Sequence, residues 1–472
     1  MSAKRISRDT ALSSLPSEWP EDVLPDIQDQ ARKGVAKVVV LDDDPTGTQT
    51  VQDIPVLTHW SLEALIGELR DRSPAFFLLT NSRSVPLEDA RAINFEIGRN
   101  LKEASRVTGQ KMVVISRSDS TLRGHFPGEV EALSEGLGER FDAWLMIPFF
   151  MEGGRYTIDD IHYVSEGDSL VPAGQTEFAR DPAFGYKASN LREWVEEKTS
   201  GRILSKAVAS VSIADIRRGG PERVAALLSD LKKCSVCIVN AASYRDLETF
   251  TKGLLLAEAF GKRFLYRTAA SFVRVRAGMH PKPLLTGSDL GLSKSGGALI
   301  VVGSYVPRTT SQLNALRKQN RVVWVEVDVK ALLDDNRRSK AVKDAVERTN
   351  RALHQEHHTV VFTTRKVTCG KEIETNLSIG EKISEGLVSI VKGVSTRPRY
   401  VLAKGGITSS VIATRGLGVK RARVLGQVVP GVPVWQLGPE SRHPGLIYIV
   451  FPGNVGELQA LVEVVKKMGP DL

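Results

Sequence analysis

The sequence predicts an α/β protein of two domains, each with a largely parallel sheet flanked by helices, and with the ligand cleft between the domains. Three observations carry that expectation. Short apolar runs alternate with amphipathic stretches along most of the chain. A segment rich in glycine and proline, 277–297, splits the alternation into two series. Several runs end in polar or glycine-rich loops, and ligands of such sheets bind beyond the carboxyl ends of strands.

In the first series, residues 37–41, 75–79, 111–115 and 143–147 read as strands, separated by helical segments at 61–70, 87–106 and 126–137. That is a parallel, doubly wound pattern. The region 153–190 is less regular and reads as insertions, after which 234–239 and 263–266 look like strands around a helix at 246–259. The second series has strands at 298–302, 322–327, 359–363 and 400–403, with helices at 310–318, 339–355, 371–391 and 457–468. The expected division is a polar leader at 1–34, a first domain at 35–276, a linker or hinge at 277–297 and a second domain at 298–472.

With 472 residues the chain is long enough for about three units of ~150 residues, or two large ones, each with a sizeable core. Apolar residues at 42% and charged residues at 25% exclude a disordered, collagenous or coiled-coil chain. No apolar run approaches the roughly 20 residues that span a bilayer, and charged residues and prolines in 1–34 interrupt anything like a secretory signal. A cytoplasmic protein is expected. Three cysteines cannot form a disulfide framework; Cys234 and Cys237 form one C-x-x-C that reads as the start of a buried strand, and Cys369 stands too far off to complete a zinc site. The net charge of +9 arises from 64 basic and 55 acidic residues without a basic block, which argues against nucleic acid and is compatible with steering small anions.

The loop after the first strand is Asp42-Asp43-Asp44-Pro45-Thr46-Gly47-Thr48-Gln49. Adjacent carboxylates repel unless a cation, a hydrogen-bonding ligand or helix-terminal amides compensate them. A solvated acidic turn is the plainer explanation, but the position at a strand's carboxyl end favours function. After the third strand comes Ser116-Arg117-Ser118-Asp119-Ser120-Thr121-Leu122-Arg123-Gly124-His125. Arginine forks grip carboxylates, and aspartate and hydroxyls pair with sugar alcohols. With Thr80-Asn81-Ser82-Arg83-Ser84, these loops predict one rim suited to a polyol acid.

The second series offers Gly303-Ser304-Tyr305 after its first strand, Lys404-Gly405-Gly406-Ile407-Thr408-Ser409-Ser410 opening a helix, and Pro452-Gly453-Asn454 before the last helix. Unobstructed amides at a helix start form an anion cradle. Neither a P-loop nor a G-x-G-x-x-G turn is present, and no G-x-S-x-G nucleophile turn. His354, His357 and His358 lack an accompanying carboxylate motif and read as an exposed helix end; no metal ligands are assigned.

In order, Asp43-Asp44-Pro45-Thr46-Gly47, Ser118-Asp119-Ser120-Thr121-Leu122-Arg123-Gly124, Gly303-Ser304, Gly405-Gly406-Ile407-Thr408 and Pro452-Gly453-Asn454 resemble the four-carbon acid sugar kinase family over nearly the whole chain. The resemblance implies a two-domain ATP-dependent kinase acting on an acid such as threonate, erythronate or 3-oxo-tetronate. It implies nucleotide at Ser304, Gly405, Gly406, Ile407, Thr408 and Gly453, and sugar acid in the first domain near Asp43, Asp44, Arg117, Asp119 and Arg123. The sequence departs from many members, which have two aspartates, an aromatic residue, threonine, glycine and alanine where this chain has Asp42-Asp43-Asp44-Pro45-Thr46-Gly47-Thr48-Gln49, and it carries a longer leader. Phosphoryl transfer of this kind commonly uses Mg²⁺. Arg117 or Arg123 is expected to clamp the carboxylate, and Asp44 and Asp119 stand as alternative bases toward the terminal hydroxyl. Closure about 277–297 would exclude water. The expected partners are the small acid sugar and ATP or ADP, with no membrane or nucleic acid; homo-oligomers are left open. A metal-assisted hydroxy-acid lyase or isomerase, and a non-catalytic nucleotide or sugar-acid sensor, are the rival readings, separated by ADP binding and ADP formation.

Overall fold

A computed structural model describes residues 4–34, 36–232, 235–280, 282–319, 322–365, 373–453 and 455–469, the side chains of Pro45 and 373–378 excepted. The chain forms two compact units, Met1–Ile54 with His59–Pro281, and Pro55–Thr58 with Lys282–Leu472.

In the first unit the strands are β1 (Lys37–Asp42), β2 (Ala75–Leu79), β3 (Met112–Arg117), β4 (Ala143–Ile147), β5 (Arg155–Ile158), β6 (Ile161–Glu166), β7 (Ser169–Pro172), β8 (Ala209–Val211), β9 (Ser235–Val239) and β10 (Phe264–Thr268). A wholly parallel sheet runs β8-β9-β4-β10-β3-β1-β2. Its central strands are covered on both faces and so carry unbroken apolar runs; every residue of β1 and β2 is buried. The covering helices include α1 (Leu62–Arg70), α2 (Leu87–Thr108), α3 (Gly128–Leu137), α4 (Ile213–Asp230) and α5 (Tyr244–Ala259). The α2–α3 contact is close because of two glycines: a Cβ at Gly136 would lie 2.3 Å from the Phe95 carbonyl oxygen, and one at Gly98 would lie 2.7 Å from that of Leu133.

The region expected to be irregular contains an antiparallel meander, β5-β6-β7, edged by Ile6–Ser7. Helix α4 also went unpredicted. Ser212 and Asp215 form its capping box, but Gly219-Gly220-Pro221 interrupts the pattern, and Gly220 sits at φ 66° in a kink. The leader folds against this part of the unit. Its indole at Trp19 covers Gly220, where a Cβ would be 2.4 Å from the ring. Arg217 donates to Asp246 and to the Pro16 carbonyl, both at 2.7 Å.

The second unit has β11 (Leu299–Val302), β12 (Val322–Val327), β13 (His358–Thr363), β14 (Val401–Lys404), β15 (Arg421–Val429), β16 (Val432–Leu437) and β17 (Ile447–Phe451), in the order β15-β16-β17-β14-β11-β13-β12. Strands β17 through β12 in that order are parallel, whereas β16 is antiparallel to both neighbours. The sequence reading did not anticipate β15, β16 or β17. Within the same unit the Thr58 amide donates to the Lys420 carbonyl at 3.0 Å. Helices α6 (Pro307–Leu316), α7 (Asp335–His354), α8 (Gly406–Val411) and α9 (Ala460–Met468) complete the parts used below. Another helix spans Ile373–Gly393; residues 371 and 372, its expected start, lie outside the described residues.

No helix among the described residues is long and apolar enough to cross a membrane. Cys234 and Cys369 lie outside the described residues, while Cys237 is buried in β9 and burial pushes its thiol up to about 12. His354 ends α7 exposed; His358 is buried and its Nδ1 accepts from the Ala298 amide at 3.1 Å.

Candidate active site

Strands β1, β2 and β3 end level, because Asp42 registers with Leu79 on one side and Arg117 on the other. The three loops that follow therefore emerge side by side at the carboxyl rim of the first unit. They bring together all five of its predicted residues, Asp43, Asp44, Arg117, Asp119 and Arg123.

Asp42 and Asp43 form the floor. Asp42 is 1% exposed, accepts from Arg117 Nη1 at 3.1 Å, and is pushed up to about 7 by burial against the pull of Arg117, with Asp43 and Asp44 adding to the rise. Asp43 accepts from Ser118 Oγ at 2.6 Å, and burial raises it as well. Asp42 Oδ2 and Asp43 Oδ1 are buried without a hydrogen-bond partner. The Asp42 oxygen is roofed by Gly47, whose added Cβ would stand 1.9 Å away. Arg117 is thus held by Asp42 and only 4% exposed.

Above the floor, charges alternate. Asp44 caps the 3₁₀ turn Pro45–Thr48, accepts from the Thr46 amide at 2.8 Å, and pairs with Arg83. Burial opposes its ionisation, but Arg83 and the Thr46 donors outweigh that and hold it below the usual carboxylate range. Arg83 also reaches Asp119 at 3.4 Å. Asp119 accepts from Arg123 Nε at 2.7 Å, and Arg123 continues to Asp181 at 3.5 Å. Burial works against Asp119 too, yet Arg123, Arg83 and Thr121 drive it far below that range. Arg83, read from sequence only as part of a rim loop, is the hub joining the two aspartates. Arg267 on β10 was not anticipated; it is buried and paired with Glu129 at 2.8 Å.

In the second unit β11, β14 and β17 are adjacent, so their terminal loops meet. A Cβ on Gly405 would be 2.9 Å from the Ser304 Cβ and 3.3 Å from Thr408 Oγ1; one on Gly453 would be 3.0 Å from Ser304 Oγ; one on Gly303 would be 2.4 Å from Thr408 Oγ1. Ser304, Gly405, Gly406, Thr408 and Gly453 therefore share one cradle, with Ile407 exposed at its edge. Gly405 adopts φ 112°, ψ 140°, and α8 starts directly after it. Asn454 lies outside the described residues.

Of the cradle's cations, the sequence reading named Lys404 at the head of the glycine motif without a role and did not name Arg365. Arg365 donates to the Ser304 carbonyl at 2.7 Å and to Thr310 Oγ1, also at 2.7 Å; burial alone lowers its basicity, with no carboxylate partner among the described residues. Lys404 is fully buried, donates to the Pro452 carbonyl at 3.0 Å and sits 3.7 Å from the Phe451 ring centre. Burial, reinforced by Arg308, lowers it to about 7. An amine depressed in the folded state binds fewer protons there than when unfolded, so wild-type stability rises with pH between about 7 and its ordinary ~10.4. Lys404→Met removes that dependence: its melting temperature relative to wild type should be most favourable below pH 7 and decline toward pH 10. A pH-independent difference in thermal melts rejects the buried-amine account.

A cavity of about 730 Å³ in the first unit is lined by Lys37, Pro74, Gln110 and His280, near the starts of β1, β2 and β3. It is about 20 Å of strand from the carboxyl rim.

Residues 38–276 match a family model described as a sugar-binding N-terminal domain, and residues 299–461 match one described as a nucleotide-binding C-terminal domain. The chain is 25% identical over 421 residues to D-erythronate kinase of Heliobacterium modesticaldum, covering 84% of this chain and 89% of that protein. It is 26% identical over 400 residues to 3-oxo-tetronate kinase of Cupriavidus necator, covering 82% and 84%. Among solved structures, the Haemophilus influenzae protein HI1011 superposes with a TM-score of 0.60 at 17% identity, covering 91% of this chain and all of that one. A Salmonella typhimurium protein, provisionally described as a tRNA synthase, gives 0.66 at 16%, covering 90% and 98%. Those two likenesses establish the fold alone.

Proposed function

We propose, from the premise that this chain belongs to the four-carbon acid sugar kinase family and is a carbohydrate-acid kinase, that it transfers the terminal phosphoryl group of ATP to the terminal hydroxyl of a four-carbon sugar acid. The observation that carries this reading is the chemical contrast between the two sites. One is a cradle of amides, Ser304 and cations; the other is a rim of alternating aspartates and arginines with hydroxyls among them. The names of the two relatives support a four-carbon acid.

The cradle fits a triphosphate tail. Glycine at 303, 405 and 453 leaves open the space that side chains would fill, and the amides at the start of α8 point positive charge to it. Lys404 and Arg365 add positive potential beside them. ATP supplies the phosphoryl group and the ADP leaving group. For Mg²⁺, no group of three or more acidic, histidine or cysteine side chains that could hold a metal occurs among the described residues, so no step is derived through it.

Of the two candidate bases, Asp44 and Asp119, the better is the less depressed carboxylate. Asp119 has a guanidinium on each oxygen, whereas among the described residues Asp44 is ion-paired with Arg83 alone. Asp44 therefore accepts the hydroxyl proton as the alkoxide oxygen bonds to phosphorus and the bond to ADP breaks. Asp119 fixes Arg83 and Arg123 in position.

Incubation with magnesium-ATP and a panel of three- to six-carbon sugar acids, with products located by phosphorus NMR, tests the reading. A phosphomonoester on the terminal carbon of a four-carbon acid is expected. Absence of ADP formation across the panel would turn the reading toward a sensor, and acid turnover without ATP toward a lyase.

A further inference from the structure

Resting on the sugar-acid reading above, we infer that Arg155, at the start of the β5–β7 meander, receives the substrate carboxylate, with Arg123 beside it. The inference starts from how the arginines of this rim are matched. Arg83 is paired with Asp44 and Asp119, Arg117 with Asp42, Arg123 with Asp119 and Asp181, and Arg267 with Glu129. Arg155 has no carboxylate within ion-pair distance among the described residues. Its Nη1 donates to the Gly153 carbonyl, and its Nε is buried without a partner.

Its location is that of the site. The guanidinium carbons of Arg155 and Arg123 lie 5.5 and 5.2 Å from the centre of the Phe178 ring. Burial depresses the basicity of Arg155, and Asp119, Arg123 and Tyr186 also act on it through space. A guanidinium removed from water and left unmatched is costly, and an entering anion relieves that cost. The planar fork fits a carboxylate with two parallel hydrogen bonds. Arg117, already held by Asp42 at 3.1 Å, is less suited to the role.

The meander thereby supplies discrimination between a sugar acid and the corresponding neutral polyol, while the strand-tip loops handle its hydroxyls. The assignment is tested on the full chain without nucleotide, by calorimetric titration with D-erythronate, D-threonate and neutral erythritol. Wild type should bind at least one acid, and Arg155→Gln should weaken that binding about 10- to 100-fold, with erythritol unaffected. Arg155→Lys, which keeps the charge but not the fork, should lose about tenfold, and it decides the matter if Arg155→Gln fails to fold. Wild-type affinity for the acid in either folded variant, or failure of wild type to bind either acid, overturns the assignment. ADP formation is scored separately. Acid binding lost with Arg155 in a protein that never makes ADP would keep the anchor and reject the kinase.

Discussion

Asp44→Asn should lower kcat by about 10²- to 10⁴-fold, the usual contribution of a positioned general base, while the KM for ATP stays close to wild type. Asparagine retains an oxygen for the Thr46 amide, so the 3₁₀ turn at Pro45–Thr48 has the same cap. What disappears is the negative charge facing Arg83 and the capacity to take a proton. Asp119→Asn is the informative partner. As a positioning residue, Asp119 affects the acid site through Arg83 and Arg123, so its loss should raise the KM for the acid more than it lowers kcat. Steady-state kinetics with both substrates varied distinguish the two, and full turnover by Asp44→Asn removes that residue from proton transfer.

Gly405→Ala should abolish measurable ADP binding at concentrations that saturate wild type, while titration with the sugar acid is unchanged. At φ 112° and ψ 140° an L-residue is strained by about 1–3 kcal/mol. The added methyl would also meet the Ser304 Cβ at 2.9 Å, in the space proposed for phosphate. Relief requires the start of α8 to turn, carrying the amides at 406 and 407 out of line. Calorimetry with ADP reads this directly, and wild-type affinity in the alanine variant would move the nucleotide elsewhere.

Most of the parallel core was legible because strands covered on both faces carry unbroken apolar runs, although β17, parallel to β14 and wholly buried, was missed. Ala75–Leu79 has no polar residue, and its limits agree with the sequence reading. The meander escaped because Arg155, Thr157, His162 and Ser165 break the apolar runs that signal a strand, and their burial depends on partners distant in sequence. His162, for example, is fully buried because its ring bonds Thr157 Oγ1 and the Ser120 carbonyl. In α4 the glycine pair and proline conceal a helix whose kink is occupied by Trp19. Strand-tip loops announced the site's composition, since aspartates, arginines and glycines cluster there in sequence. The matching of charges did not show: that Arg83 joins Asp44 to Asp119, and that Arg155 pairs with no carboxylate among the described residues, depends on folded distances alone.

The chain Asp44–Arg83–Asp119–Arg123–Asp181 also bears on how such an enzyme can be retuned. Each member balances its neighbours, so exchanging one leaves two others mismatched, and a new substrate preference built there demands several simultaneous changes. Arg155 belongs to no such ledger. Selectivity is most readily redesigned, by laboratory or by descent, on the meander that carries it, leaving the machinery at the strand tips intact.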